Sequence, residues 1–430
     1  MFFERPDRGE TAILVHIALE AEHDQEDPLE FEELVLSAGA VPVCFIKGSR
    51  KRPDAGHFVG SGKLDEIAAA VKEHQAELVL FNHALTPSQE RNLEKRLECR
   101  VLDRTGIILD IFAQRARSYE GKLQVELAQL EHTVTRLKRG WTHLDRQKGG
   151  IGLKGAGETQ LELDQRMIRQ RIKNINKALI KVRGQREQGR RSRQRADIPT
   201  ISLVGYTNAG KSSLFNAMAG ENTYAADQLF ATLDSTLRRI ELPNFGGAIL
   251  ADTVGFISHL PHKLVEAFRA TLEETTQAAL LLHVIDAANE NHEYLTEQVN
   301  EVLSEIGADQ VPCLRVYNKI DLLPDRQPML ERNEEGVPVR IWVSARTGAG
   351  IDMLLAAISE LLGEDVVQRN LTLLPAHGRL RARLYAKGAV RHETTDERGA
   401  VCMSISLPRH DFDRLLVDEG VAPEELGIST

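Results

Sequence analysis

Residues Thr200–Gly220, TISLVGYTNAGKSSLFNAMAG, constrain this chain more than any other segment. An apolar, strand-like run ends at Gly205, and Gly210-Lys211-Ser212 opens an amphipathic stretch. The pattern is G-x-x-x-x-G-K-[ST] in the strand–turn–helix setting that it requires. Glycines there let backbone N–H groups close around a polyphosphate at a helix N-terminus. The expected phosphate loop is Gly205, Tyr206, Thr207, Asn208, Ala209, Gly210, Lys211, Ser212 and Ser213. Lys211 is expected to reach the β- and γ-phosphates, and the Ser212 hydroxyl to bind Mg²⁺. A buried strand feeding a helix in this way belongs to an α/β sheet.

Three further motifs follow, each at the end of an apolar run. AILADTVGF carries Asp252-Thr253-Val254-Gly255, with Asp252 expected at the magnesium through a water and the Gly255 N–H at the γ-phosphate. CLRVYNKID carries Asn318-Lys319-Ile320-Asp321. The Asp321 carboxylate matches the N1–H and exocyclic amine of guanine, whereas adenine presents an acceptor at N1 and leaves the charge unpaired. Ser344-Ala345-Arg346 follows the strand-like VRIWV and places a backbone donor for the guanine O6. Four motifs in this order describe a GTP-hydrolysing domain over residues 197–365.

That domain resembles the translation-factor-related branch of P-loop GTPases. The resemblance implies that Phe230-Ala231-Thr232-Leu233-Asp234 is switch I, with Thr232 the second protein ligand of Mg²⁺; a helix or turn cap is the alternative for Thr232. Lys211, Thr232 and Gly255 are then the catalytic set. Ras-like enzymes carry glutamine directly after the DxxG glycine to orient the attacking water. Here the residue is Phe256, which implies slow intrinsic hydrolysis with water placed by backbone, by another element or by a partner. Asn208 resembles an asparagine that holds K⁺ beside the phosphates in some GTPases, a turn asparagine being the alternative.

The rest of the chain divides around this domain. Residues 1–110 alternate strand-like runs (TAILVHIAL, VPVCFI, ELVLF, RVLD) with amphipathic ones, the pattern of a small α/β domain. Thr86-Pro87 is a cap with proline in the first turn. FVGSGKLDEI there departs from a P-loop, since His57 and Leu64 stand where glycine and Ser or Thr are needed, and a tight turn opening a helix is the plainer account. From Leu123, the residues Leu127, Leu130, Val134, Leu137, Trp141 and Leu144 continue at 4-3 spacing. Ile168, Ile172, Ile175, Leu179 and Val182 resume it, giving an antiparallel helical hairpin over residues 111–196 with arms of roughly 35–40 Å. Gly184–Asp197 is expected to be a helix end plus linker. The tail, 366–430, with its alternating LTLL, RLRARLYA and VCMSISLP, is expected to be a small, β-rich α+β domain.

Between the two helical patterns lies KGGIGLKGAGETQ, with five glycines in residues 149–157. It has neither a preceding strand nor a GK[ST] ending, so a nucleotide cradle is not its reading. Glycine lets backbone approach a partner closely. Charge says what kind of partner: residues 111–196 hold 21 Lys and Arg against 8 Asp and Glu, in a chain whose net charge is −9. The remainder therefore carries −22, and the basic segment is the part suited to a polyanion. Lys148, Gly149, Gly150, Gly152, Lys154, Gly155 and Gly157 form a cationic tip suited to a structured RNA pocket, against the alternative of an ordinary surface turn. No apolar run approaches the ~18 residues of a membrane span. MFFERPDRGE does not resemble a secretory signal, and four scattered cysteines suggest no disulfide or metal spacing, so a reducing cytoplasm is expected.

Across essentially its whole length the chain resembles the HflX family of GTPases, through FVGSGKLDEI, LTPSQERNLE, DRTGIILDIFAQRA, QVELAQLEHTVTRLKRGWTHL, GGIGLKGAGETQLELD and the C-terminal GRLRARLYA. Ala156 and Ser235 stand where that family often has proline. The resemblance implies binding of GTP and GDP, and a partner in the large ribosomal subunit with its 23S rRNA. It further implies splitting of stalled or idle 70S ribosomes under stress, with ribosome-stimulated hydrolysis. It also implies ATP binding at the N-terminal domain. Nothing demands more than a monomer. The competing readings are a GTP-dependent ribosome assembly factor, a switch docking on a protein partner with a peripheral place at the membrane, and an ATP-driven RNA-unwinding enzyme.

Overall fold

The computed structural model describes residues 10–19, 27–140, 160–195, 198–220, 230, 232, 236–243, 245–257, 274–363, 366–373, 377–386, 388–395, 401–408, 412, 415, 416, 418, 419, 421 and 426. The described residues form three sheets, the helices packed on them and a pair of helices joined by a seam.

The first sheet is parallel and four-stranded, in the order β2-β1-β3-β4, from β1 (Thr11–Leu19), β2 (Val41–Arg50), β3 (Leu78–Phe81) and β4 (Arg100–Asp103). β1 and β3 are buried almost throughout, as strands covered on both faces must be. On one face lie α1 (Pro28–Ser37) and α4 (Arg104–Arg115), whose Phe31, Leu34, Ile108 and Phe112 pack against Ala12, Leu14 and Leu80. On the other lie α2 (Ser61–His74) and α3 (Pro87–Leu97), with Ile67 and Leu93 against Ile13, Val15 and Val79. Thr86 caps α3 with a full capping box: its Oγ1 accepts from Gln89 N at 3.3 Å and its N donates to Gln89 Oε1 at 2.9 Å.

Next come α5 (Tyr119–Gly140) and α6 (Gln160–Arg195). Leu123, Leu127 and Leu130 interdigitate with Ile172, Ile175 and Leu179, the part of the expected 4-3 seam nearest the first sheet; the Leu137 side chain, Trp141 and Leu144 lie outside the described residues. A second stripe of α5, Val125 and Ala128, joins the core of the first sheet, so α5 is anchored on two sides. Arg136 locks it there through Glu90 (2.6 Å) and Asp103 (2.8 Å), and Arg171 of α6 forks onto Glu126 of α5. α6 corrects one expectation. Gly184–Asp197 is no linker as far as Arg195: the helix runs on through it for 36 residues, about 54 Å. Gln, Arg and Glu are strong helix formers, and together they outweigh the cost of about 1 kcal/mol at each of Gly184 and Gly189.

The central sheet has seven strands, in the order β10-β11-β9-β8-β5-β7-β6. Its parallel strands are β5 (Thr200–Val204), β7 (Gly246–Asp252), β8 (Leu280–Asp286), β9 (Cys313–Asn318) and β11 (Pro338–Trp342). β6 (Thr236–Leu242) and β10 (Met329–Arg332) are antiparallel edges. α7 (Lys211–Met218) and α9 (Ile351–Gly363) cover one face, and α8 (His292–Glu305) part of the other.

The tail forms an antiparallel sheet, β12-β14-β13, from β12 (Val366–Leu373), β13 (Val390–Thr395) and β14 (Val401–Pro408). RLRARLYA is not the strand that its alternation suggests but a helix, α10 (Gly378–Ala386). Leu380 and Leu384, four positions apart, are both buried against Met403 and Ile405, so the helical period is the one that fills the core.

Candidate functional site

The C-terminal ends of β5, β7, β9 and β11 bring the four sequence motifs to one edge of the central sheet, where open α/β sheets place their ligands. Glycine is required where the loop turns. A Cβ on Gly205 would lie 2.2 Å from the Val284 carbonyl oxygen, and one on Gly210 (φ +89°) 2.3 Å from Asn318 Nδ2. α7 starts at Lys211 with Gly210 as its cap and no side-chain cap hydrogen bond, which leaves its first N–H groups for an anion.

Lys211 is almost wholly buried, and its ammonium donates to the Gly205 (3.0 Å) and Tyr206 (2.7 Å) carbonyls. Burial pulls its pKa down to about 8, against the opposing pull of Asp252. Gly255 stands directly over this ammonium: an added Cβ would be 2.9 Å from it and 2.9 Å from Thr207 Cγ2. The loop and the DxxG segment are stitched together, since Thr207 N donates to the Phe256 carbonyl at 2.7 Å and Phe256 N to the Gly205 carbonyl at 3.1 Å. The Phe256 ring is buried in the core beneath α8.

Ser212 Oγ, Thr232 Oγ1 and Asp252 Oδ2 form a triangle with sides of 2.7, 2.8 and 2.7 Å. Two hydroxyls own two protons, so the third side is a contact between lone pairs unless Asp252 takes up a proton. Burial does raise the Asp252 pKa, while the two hydroxyls and Lys211 oppose the rise. Its Oδ1 is buried and meets no hydrogen-bonding side chain among the described residues. Three hard oxygens and one orphaned carboxylate oxygen are the donor set that a magnesium ion takes.

On the base side Asn318 is fully engaged: Nδ2 donates to the Ala209 carbonyl (3.0 Å) and Oδ1 accepts from Ala345 N (2.9 Å). Asp321 Oδ1 accepts from Ser344 Oγ at 2.6 Å, with Arg346 4.0 Å from Oδ2. Lys319, in the left-handed region at φ +65°, pairs with Asp286 at 2.8 Å, and Ile320 is buried. Of the Ser344-Ala345 segment expected to supply a backbone donor for the guanine O6, the Ala345 N–H is thus given to Asn318.

Thr253 is buried, its hydroxyl donating to the Leu203 carbonyl at 2.6 Å, and Val254 packs toward the first sheet. Ser213 is partly buried on α7, and Asn208 adopts φ +59°. Ala231, Leu233, Asp234 and the tip residues Lys148, Gly149, Gly150, Gly152, Lys154, Gly155 and Gly157 lie outside the described residues. Lys63 of the FVGSGK turn points elsewhere than a phosphate loop lysine would, bonding the Lys47 carbonyl (3.0 Å) and Glu66 (2.8 Å).

Sequence reasoning missed a clasp on this site from the first sheet. Tyr206 donates its hydroxyl to Glu30 Oε2 of α1 at 2.9 Å; Glu30 Oε1 pairs with Arg104 at 2.7 Å; Arg104 reaches Asn82 Oδ1 at 2.8 Å. Burial raises the Glu30 pKa, opposed by Arg104 and Tyr206. Phe230 sets its ring edge-on to Phe112 at 4.7 Å, and Val254 and Ile257 join the same cluster. Only the odd placement of a charged residue at the start of α4, Arg104 directly after the capping Asp103, hinted at a buried ion pair. A cavity of about 470 Å³ lies between α1 and the outer side of the loop, bounded by Glu30, Glu33, Thr207, Asn208 and His283.

Four family models match in chain order: GTP-binding GTPase N-terminal over residues 25–113, GTP-binding GTPase Middle Region over 115–193, 50S ribosome-binding GTPase over 200–319, and HflX C-terminal domain over 329–425. GTPase HflX of Escherichia coli (strain K12) is 59% identical over 97% of this chain and 98% of its own length. GTPase HflX of Magnetococcus marinus is 45% identical, covering 86% and 82%. Among solved structures, a GTP-binding protein from the archaeon Sulfolobus solfataricus in complex with GDP is 25% identical with a TM-score of 0.45, covering 83% of this chain and 99% of that one.

Proposed function

The chain belongs to the HflX family of GTPases, and we propose that it binds the large (50S) ribosomal subunit, splits stalled or idle 70S ribosomes and hydrolyses GTP when the ribosome stimulates it. The observation that carries this reading is the join between two unlike parts. A basic segment with a surplus of 13 positive charges continues through α6 to within five positions of β5, the strand that bears the phosphate loop. Such an arm suits phosphate-rich RNA, and the glycine-rich tip suits close approach by backbone.

In this reading Ser212 and Thr232 would hold Mg²⁺ directly and Asp252 through a water, and the ion would supply positive charge against the triphosphate. Lys211 adds a second positive charge from below, and the free N–H groups at the start of α7 orient the phosphates. Asp321 and Asn318 select guanine. Asn208, on the wall of the cavity beside the loop, is the residue to test for K⁺. Because the Phe256 ring is turned into the core, no side chain at that position orients the attacking water, and the task falls to backbone, to another element or to a partner. ATP at the N-terminal domain has as its support only the turn before α2.

GTP turnover with and without purified large subunits, for wild type and for a variant with residues 149–157 shortened, tests the proposal. Many-fold stimulation that the shortened variant loses is the expected result. Turnover indifferent to subunits overturns it in favour of a protein-docking switch. The assembly-factor alternative predicts stimulation without dissociation of purified 70S particles.

A further inference from the structure

Among the described residues, one face of the central sheet is covered only in part. On the side of α7 and α9, Leu314, Val316 and Ile341 are buried against Leu354 and Ile358. On the other side the apolar cluster beneath α8 takes residues from β5 and β8 and none from β9, β10 or β11. The chain between β9 and β11 supplies a short 3₁₀ turn (Ile320–Leu322) and the edge strand β10 instead of a covering helix. The strand residues on that side, Arg315 and Tyr317 of β9, Arg340 and Trp342 of β11, and Met329 and Glu331 of β10, all remain at least partly exposed.

Register decides what they form. Trp342 is paired with Tyr317 and with Met329, and Arg340 with Arg315 and with Glu331, so two rows cross the open face, one aromatic and one mainly basic. The Tyr317 and Trp342 rings are stacked, 4.9 Å apart and 11° from parallel. Arg326 lies over the Trp342 ring at 4.8 Å, and His292, the first residue of α8, meets Tyr317 edge-on at 6.0 Å. Arg340 has Glu331 at 3.6 Å, whereas Arg315 has no carboxylate partner among the described residues. Its neighbour His283 offers no compensating negative charge. In a chain of net charge −9 this is a local surplus of guanidinium groups around two indole and phenol rings.

We propose that this face of β9, β10 and β11 is a platform for single-stranded RNA, with Trp342 and Tyr317 taking bases and Arg315, Arg340 and Arg326 taking phosphates. A base stacks on the Trp342 ring where Arg326 now lies. Arg326 is exposed and swings to the phosphate of the same nucleotide, exchanging one favourable contact for another. Arg315 and Arg340, on neighbouring strands about 4.8 Å apart, present two guanidinium groups to one stretch of backbone. Charge complementarity chooses a polyanion, and the aromatic row chooses a nucleic acid over an acidic peptide, which would leave both rings unused. The proposal extends the ribosomal reading to a surface distinct from the hairpin arm, and its test needs no ribosome.

The chain has two tryptophans, so a full-length Trp141→Phe protein reports from Trp342 alone. Titration with a ten-nucleotide single-stranded RNA at low salt is expected to quench that fluorescence saturably. Arg315→Ala and Arg340→Ala each shift the midpoint upward by roughly three- to tenfold, and added salt does the same. Both substitutions are of partly exposed residues, so the circular dichroism and the GTP affinity of each variant serve to show that it is folded. The platform is overturned by absent quenching, by midpoints unchanged in both arginine variants, or by a poly-glutamate peptide that quenches as well as RNA does. Should it fall while large subunits still stimulate turnover, the ribosomal reading stands without it; should it hold while they do not, RNA binding survives and splitting does not.

Discussion

The two halves of the nucleotide site are finished to different degrees. On the side of the NKID motif Ser344 holds Asp321, and Asn318 ties Ala209 to Ala345, so groups after three strand ends are already joined. On the phosphate side Ser212, Thr232 and Asp252 turn three oxygens onto one point, and among the described residues no side chain pairs with Asp252 Oδ1. That half also leans on another part of the chain, through Tyr206 on Glu30 and Phe230 on Phe112. Selection of a base profits from groups that do not move. A switch needs the reverse, an arrangement that the ligand completes.

The contrast can be broken at the point where the halves meet. In Gly210→Ala the new methyl group collides with Asn318 Nδ2 at a backbone angle that alanine resists. Asn318 is then pushed off both the loop and Ala345, at a cost of about 3 kcal/mol, and GTP and GDP affinity should each fall more than a hundredfold by isothermal titration. Unaltered affinity would mean that the halves are not joined through Asn318. Asp321→Asn confines the damage to the base side: GTP weakens by roughly a hundredfold, while the dependence of binding on Mg²⁺ concentration stays as in wild type.

Acidity sharpens the phosphate side. Free Lys211, with its pKa lowered to about 8, is largely neutral at pH 8.5, and bound phosphates restore its charge. Binding therefore takes up about three-quarters of a proton at that pH and almost none at pH 7, and affinity declines as pH rises through 8. Calorimetry in two buffers of different ionisation enthalpy measures the uptake, and equal values at both pH settings refute the shifted lysine. The smallest effect belongs to the clasp. Tyr206→Phe removes one hydrogen bond but leaves Glu30 paired with Arg104, so stability falls by about 1 kcal/mol and affinity for GDP changes less than twofold. A tenfold change in affinity would make the clasp part of the binding site proper.

How much of this was legible depended on sequence distance. The phosphate loop, DTVG, NKID and the Thr86 capping box are local patterns, in which spacing along the chain fixes spacing in space. The hairpin seam was legible too, because a 4-3 repeat has one helical solution. Glu30 and Tyr206 are 176 positions apart, and no local pattern announces their hydrogen bond. The same holds for Phe112 and Phe230. Elsewhere local signals competed. Two glycines and a polar run argued for an end to α6, yet helix propensity carried it to Arg195. RLRARLYA alternates like a strand, and only burial of Leu380 with Leu384 selects the helix. The donation of the Ala345 N–H to Asn318 depends on which acceptor lies nearest once the chain has folded, which no motif records.

α6 ends at Arg195, and β5, whose last residue adjoins the phosphate loop, begins at Thr200. Only the short step from 195 to 200 separates them, so about 54 Å of basic helix is tied by covalent chain to the loop that receives the phosphates. Whatever grips the Gln160 end works at a distance from the nucleotide, and its pull is shared with α5 through the seam of Leu123, Leu127, Ile175 and Leu179.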